Sequence, residues 1–328
     1  MRLAVLGHSN IHVRQVNFYR EVAALGHEVL ILSPGEWREQ RAKSTEWIDY
    51  GLGKYRIHTL RHFGGEDVYR FVFLGLEEVL ASFKPDVLYV QQEPASVAAQ
   101  EAALVEVKLA PKVVLFTWEN QASGYTPFAK TVLEKYDLVV CGNDEAQSLV
   151  QQFNKNTVIL PQVGVDTAHF QERQVVRNIS VAYIGRLLPE KGVEKLQLAW
   201  PTARVLPWMP YTQLPWWYSQ CQVVVCYSQD TQVWREQAMP FVSVEATCCG
   251  ALAIVSDAGS IPFWHTKFAG INPGSVLVPQ DNVLELKKQI QYALECENRK
   301  QLAQEGREWV EANLSSKVIA QRLVEVLG

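Results

Sequence analysis

Apolar residues along the chain fall into two alternating patterns. Short β-rich runs at 2–6, 28–32, 55–60, 86–91, 112–117, 137–141 and 157–160 predict strands. Between most of them the apolar spacing is helical. The stretch 13–25 ends at Gly26, a residue suited to a helix C-cap, and 67–83 keeps the helical period. Pro94 opens 94–109 at a position where a missing N–H costs little. Strands separated by helices pair in parallel through right-handed crossovers. The first half therefore reads as a doubly wound sheet, with ligands expected beyond the carboxyl ends of its strands.

A second series follows the polar stretch 171–178, with strands at 179–184, 204–206, 222–226, 251–256 and 275–278 and closing helices at 298–312 and 315–327. Together the two series predict an α/β protein with two Rossmann-like domains facing an interdomain cleft. The expected bounds are 1–165 and 166–312, with 161–178 as the linker and 313–328 as a last helix packing back toward the first domain. A length of 328 residues agrees with two domains rather than one or four. Five of the ten tryptophans, Trp200, Trp208, Trp216, Trp217 and Trp234, are concentrated at the start of the second series. They suit a thin domain that fills its core with large side chains; a stacking platform for a base or sugar is the alternative.

Composition narrows the classes. With 48% hydrophobic and 20% charged residues the chain can bury a core, which excludes disordered and collagen-like proteins. The net charge of −4 is evenly spread, so neither half offers a polyanion a basic face, and no nucleic-acid partner is expected. No apolar run approaches a bilayer span, so no membrane segment is expected. The opening MRLAVLGHSN lacks the basic flank and cleavage site of a signal peptide and reads as the first strand. None of the six cysteines forms a CxxC pair, and Cys248 and Cys249 are vicinal. Free thiols in a reducing, cytoplasmic setting are expected. The seven histidines include no HExxH, and no metal site is expected.

Three segments can carry chemistry. The loop 7–12 stands where a dinucleotide enzyme would show GxGxxG, but only Gly7 is present, so a nicotinamide oxidoreductase is disfavoured. No Asp-x-Asp occurs, which removes a common metal clamp for nucleotide sugars and leaves phosphate charge to protein cations and helix ends. The loop GRLLPEKG at 185–192 follows a strand, and its Arg186 and Lys191 suit a diphosphate, the guanidinium as a planar fork and the ammonium as a point charge. The bland alternative is a solvated loop in which Glu190 pairs with a neighbour. In WREQAMPFVSVEATCCG at 234–250, a loop through Met239, Pro240, Phe241 and Val242 opens a short helix whose free amides can face an anion. Glu245, one to two turns in, can accept two vicinal hydroxyls such as those of a ribose, or it is a helix-surface or ion-paired residue.

These segments resemble the Gly-Arg…Glu-Lys-Gly loop and the Glu-x7-Glu region of retaining glycosyltransferases of family 4, the group 1 enzymes with the GT-B fold. FTWENQ at 116–121, CGNDEA at 141–146, LPQVGVDTAHF at 160–170 and SDAGSIP at 256–262 are similar to family segments in the same order. The resemblance implies a nucleoside-diphosphate sugar as donor substrate, no cofactor or bound metal, and transfer with retention to a glycan, lipid-linked or small-molecule acceptor in glycan biosynthesis. It makes 1–165 the acceptor-side domain, with Gly7 among the substrate-binding residues, and 166–312 the nucleotide-sugar domain.

Residue by residue, the resemblance implies that Arg186 and Lys191 bind the diphosphate and Glu245 the ribose. The first acidic position would contact the donor sugar, yet Glu236 lies nine residues before Glu245 where the family has eight, and strict register puts Gln237 there. Glu119 and Asn120 stand where many relatives place a histidine near the sugar. The same fold also serves sugar-nucleotide epimerases and inactive carbohydrate-binding relatives, and these are the competing readings. Little chain separates Lys191 from Trp208, where relatives place a further strand, glycine turn and helix, so the second domain is expected to be shortened.

Overall fold

The computed structural model describes residues 1–34, 37 and 55–328. The chain divides into two compact units, one of residues 1–164 with 319–328 and one of residues 165–318.

Unit 1 is built on an eight-stranded sheet. Its strands are β1 (Arg2–Leu6), β2 (Glu28–Pro34), β3 (Tyr55–Phe63), β4 (Val72–Leu74), β5 (Val87–Gln91), β6 (Lys112–Thr117), β7 (Leu138–Cys141) and β8 (Thr157–Ile159), in the order β4-β3-β2-β1-β5-β6-β7-β8. All pairings are parallel except β3 with β4. The central strands β5 and β7 are buried at every position, as strands covered on both faces must be, which is why they read as continuous apolar runs. The helices are α1 (Val13–Ala24), α2 (Leu76–Phe83), α3 (Val97–Ala103), α4 (Pro127–Leu133) and α5 (Asp144–Val150).

Two expected helices are shorter than their patterns. The stretch 67–83 splits at Gly75 into β4 and α2. Within it Phe71 and Phe73 are buried while Leu74 is exposed, an alternation of period two that outweighs the helical spacing. The stretch 94–109 contributes only α3, because Ser96 accepts a hydrogen bond from the Ala99 amide and caps the helix two residues after Pro94. Beyond Ala103 the apolar side chains of Leu104 and Val107 point to solvent.

Unit 2 carries a five-stranded, all-parallel sheet of β9 (Ile179–Ile184), β10 (Arg204–Leu206), β11 (Cys221–Cys226), β12 (Leu252–Ser256) and β13 (Ser275–Val278), in the order β10-β9-β11-β12-β13. Its helices are α6 (Val193–Ala199), α7 (Leu214–Gln220), α8 (Phe241–Cys248), α9 (Val283–Glu295) and α10 (Arg299–Asn313). A last helix, α11 (Ser316–Leu327), starts in unit 2 and counts with unit 1 from Ile319 onward. Lys112 donates to the Leu327 carbonyl at 2.8 Å and ties its end down. Between Lys191 and β11 the chain forms α6, β10, a short 3-10 turn at Tyr211–Gln213 and α7, and β10 is the sheet edge.

Of the five tryptophans at the start of the second series only Trp200 packs against the main core cluster. Trp208 and Trp216 are exposed, Trp217 and Trp234 half-buried, and the strands fill the interior largely with aliphatic residues such as Val181, Val223, Val225 and Ile254. In a thin α/β layer the strand positions are covered on both sides, and aliphatic side chains fill that space more evenly than indoles. The segment 165–178 is packed rather than loose. Val165 bridges to Ser315, and Phe170 is buried against Tyr211 and Tyr218.

Candidate active site

In unit 2 the strand order reverses between β9 and β11, the point at which open α/β sheets bind ligands beyond the carboxyl ends of their strands. The loop after β9 is GRLLPEKG. It lies against the chain after β11. The Gln229 amide donates to the Glu190 carbonyl at 2.8 Å, and Gly192, at φ +64°, stands where a Cβ would come within 2.1 Å of the Tyr227 carbonyl oxygen. Only glycine allows that approach.

The second motif meets the same loop. Lys191 Nζ is 2.7 Å from Glu236 Oε2, with both side chains about 15% exposed, and the ammonium lies 4.6 Å from the centre of the Trp234 ring. The Ser228 hydroxyl donates to the same carboxylate oxygen at 2.8 Å. The Glu236 backbone is locked as well. Its carbonyl accepts the Ser260 amide at 2.9 Å, and Gly259, at φ +47°, has no room for a side chain against it. Asp230 joins the remaining loops: its amide donates to Gln280 Oε1 at 2.6 Å, and its carboxylate accepts the Gly259 amide at 3.2 Å and lies 3.6 Å from Arg235 Nε.

Sequence reasoning named Lys191 and Glu236 but not Ser228, Asp230 or Gln280. These three are ordinary surface-type residues until the strand order puts their loops side by side. Arg186 is exposed beside Lys191's loop, its backbone fixed by the Tyr183 hydroxyl, which donates to the Arg186 carbonyl. Gln237 is half-buried next to Glu236. Met239 is buried and Pro240, Phe241 and Val242 half-buried at the start of α8. Not all the amides there are open to an anion, since Phe241 donates to the Met239 carbonyl and Ser243 to that of Pro240. Glu245 is not on the helix surface. It is 1% exposed and accepts from the Tyr218 hydroxyl at 3.5 Å. Burial pushes the nearby Cys226 thiol up to about 11, so it stays neutral.

Unit 1 reverses its strand order between β1 and β5. His8 and Gln92, from the two flanking loops, meet at 3.1 Å, and Gly7 packs against Gln91. Burial lowers His8 and takes His12 down to about 4, so both rings are neutral at pH 7. After β6, Glu119 and Asn120 form a tightly wired turn. The Tyr125 hydroxyl donates to the Glu119 carbonyl at 2.8 Å, Glu119 Oε1 accepts the Gln121 amide at 2.9 Å, and Asn120 donates to Glu145 at 2.9 Å. Asn143, the cap of α5, donates to the Trp118 carbonyl at 3.0 Å. Glu93 had no sequence signal beyond lying just after a predicted strand end. Its carboxylate accepts from the Thr117 hydroxyl and from the Trp118 amide at 3.5 Å.

Comparison with known proteins places this geometry. Residues 198–309 match the family described as glycosyl transferases group 1. The matched stretch lies within unit 2. It contains Glu236 and Glu245 and begins at residue 198, beyond Lys191, whose ammonium is 2.7 Å from Glu236. Among solved structures, the chain is similar to sucrose-phosphate synthase from Thermosynechococcus elongatus, at 16% identity and TM-score 0.71, covering 99% of this chain and 98% of that one. It is also similar to Anabaena HepE in complex with UDP, at 14% identity and TM-score 0.73, covering 99% of each. A glycosyltransferase from Rickettsia africae aligns at 12% identity and TM-score 0.72, covering 99% of this chain and 97% of that one. No curated protein matches by sequence. The fold is that of the GT-B glycosyltransferases. Among the described residues no helix is long and apolar enough to cross a membrane, and no group of three or more His, Cys, Asp or Glu could hold a metal ion.

Proposed function

We propose that the chain is a glycosyltransferase that moves a sugar from a nucleoside-diphosphate sugar to an acceptor with retention at the anomeric carbon. The observation that carries this reading is the Lys191–Glu236 pair, which brings both motifs of the family resemblance into contact beside the strand reversal of the unit 2 sheet. Lys191 and Arg186 take the donor diphosphate and stabilise the negative charge on the departing nucleoside diphosphate, the part of such a reaction that fixed cations accelerate most. No bound metal enters this reading. As the diphosphate arrives, Lys191 exchanges part of its contact with Glu236 for phosphate oxygens, which frees a carboxylate oxygen to accept from a donor-sugar hydroxyl.

Glu236, rather than Gln237, fills the first acidic position, because its carboxylate is the one held on Lys191. The amide of Gln237 and the Met239–Val242 turn flank the donor. Glu245 holds the ribose, for which it must leave its contact with Tyr218. Gly7, Glu119 and Asn120, in unit 1, serve the acceptor or donor sugar. The acceptor is a glycan, a lipid-linked sugar or a small molecule. Free thiols such as Cys141 and Cys248, both pushed up to about 12 by burial, support a cytoplasmic setting. The complex of HepE with UDP makes UDP the first nucleotide to test.

The test is release of nucleoside diphosphate from a panel of UDP-, GDP-, ADP- and dTDP-sugars. Turnover of one donor is expected, reduced about a hundredfold by Arg186→Ala or Lys191→Ala, since one oriented charge is worth roughly 3 kcal/mol. Isomerised donor in place of free nucleotide, or binding without turnover, would overturn the reading.

A further inference from the structure

Glu93 lies between β5 and α3 in unit 1, outside every motif of the family resemblance, yet its carboxylate organises the turn that presents Glu119 and Asn120. One oxygen accepts the Thr117 hydroxyl, the other the Trp118 amide, and Thr117 Oγ1 in turn accepts the Glu119 amide at 3.1 Å. The turn is thus hung from Glu93 on one side and from Asn143, Glu145 and Tyr125 on the other. Glu119 itself fills space left by Gly124, where a Cβ would come within 2.4 Å of its side-chain carbons. A turn held at so many points has little freedom of its own, so the state of its central acceptor is transmitted to both site residues.

The groups facing Glu93 come from several elements. They are Glu119 from the turn after β6, Tyr125 just beyond it, Cys141 at the end of β7, and Tyr69 from the segment before β4. Tyr69 and Cys141 are each held near 12, and Tyr125 well above the ordinary phenol range, so all three are neutral at pH 7. No cation offsets the carboxylate among the groups that perturb it. Desolvation, with the nearby Glu119 charge, pushes Glu93 up to about 7, although the Thr117 and backbone hydrogen bonds pull the other way. An ionised Glu93 accepts at both oxygens. Once protonated, it must place a hydrogen on one of them, and one of the two bonds to the turn weakens.

We propose that Glu93 is a positioning residue whose charge state sets the geometry of the Thr117–Asn120 turn, so that substrate handling by Glu119 and Asn120 switches with pH. This rests on the transferase reading above for what the turn does, and on the hydrogen bonds alone for how Glu93 controls it.

The experiment combines two readouts on the full chain, wild type and Glu93→Gln, the latter keeping the shape and one carbonyl acceptor. The first is nucleoside diphosphate release from the donor panel between pH 5.5 and 9. Wild-type turnover is expected to rise about tenfold through a midpoint near 7. In Glu93→Gln that limb should vanish, with nucleotide affinity changed less than twofold because the nucleotide residues are in unit 2. A limb that persists unchanged in the variant overturns the proposal, as does an equal loss of nucleotide affinity. The second readout is carboxyl NMR of protein labelled with δ-13C glutamate. A resonance titrating near pH 7, missing from Glu93→Gln, together with a Glu119 response at the same midpoint, is expected. No glutamate titrating between pH 6 and 8 overturns the proposal even if turnover is normal. A chain with the resonance but no turnover of any donor defeats the transferase reading instead.

Discussion

Replacing Lys191 tests the contact between the two motifs before any substrate is added. Its ammonium sits 2.7 Å from Glu236, with both side chains about 15% exposed. Exposed pairs of this kind are worth about 0–1 kcal/mol, whereas removing one partner of a fully buried pair costs roughly 3–5 kcal/mol. Partial exposure puts Lys191→Met near 2 kcal/mol, because the Glu236 carboxylate, still bonded by the Ser228 hydroxyl at 2.8 Å, loses this counter-charge. Glu236→Gln should cost less, about 1 kcal/mol, since the ammonium retains the Trp234 face at 4.6 Å and water. Denaturant unfolding of wild type, both single variants and the double variant gives the coupling energy, expected at about 1–2 kcal/mol. Saturating UDP should shrink that coupling, because the ammonium then divides itself between carboxylate and phosphate. A coupling below about 0.3 kcal/mol without nucleotide would refute the argument that the two motifs form one unit.

Three further outcomes follow from the same structure. Gly192→Ala should destabilise unit 2 by several kcal/mol in denaturant unfolding, about the size of a severe backbone clash, since φ is +64° and the new Cβ would meet the Tyr227 carbonyl at 2.1 Å; a loss within about 1 kcal/mol would show that the loop can move aside. Arg186→Ala should leave stability within about 0.5 kcal/mol, as expected of an exposed side chain, while weakening nucleotide binding about tenfold by titration calorimetry; unchanged binding would remove Arg186 from the site. The third concerns Glu93, whose folded value, raised to about 7, lies above that of the unfolded chain. Its contribution to stability is therefore full below the unfolded carboxyl value and is lost as pH rises through about 7. Glu93→Gln should match wild type near pH 5 and exceed it near pH 8 by up to about 3 kcal/mol; a variant equally or less stable at pH 8 would contradict the shift.

Much of this architecture was legible because buried parallel strands leave continuous apolar runs; β10 and β13 lie where the pattern puts them. The region 67–83 was misread because helical spacing and strand alternation coexist there, and burial of Phe71 and Phe73 decides between them. The tryptophan cluster misled for a related reason. Size alone suggests a core, but Trp208 and Trp216 lie outside the strands that form it. At the site, motif spacing named Arg186, Lys191 and Glu245 as candidates and left Glu236 and Gln237 open. The contact that favours Glu236, its 2.7 Å approach to Lys191 with its backbone gripped by Gly259 and Ser260, needed coordinates. Glu93 was invisible because its partners Thr117 and Trp118 lie more than twenty residues away, and Ser228 because a lone serine eight residues before Glu236 belongs to no motif.

The central claim is that unit 2 binds a nucleoside diphosphate through Lys191 and Arg186. The most direct measurement is a thermal-shift titration of the full chain with UDP, GDP, ADP and dTDP, repeated on Lys191→Ala and Arg186→Ala. One nucleotide at a hundred times its dissociation constant should add about 2.7 kcal/mol, a shift of several degrees; at the same concentration the tenfold weaker Arg186→Ala should keep about half of that gain, and Lys191→Ala no more than half. No response to any of the four, or a response equal in wild type and both variants, would contradict it.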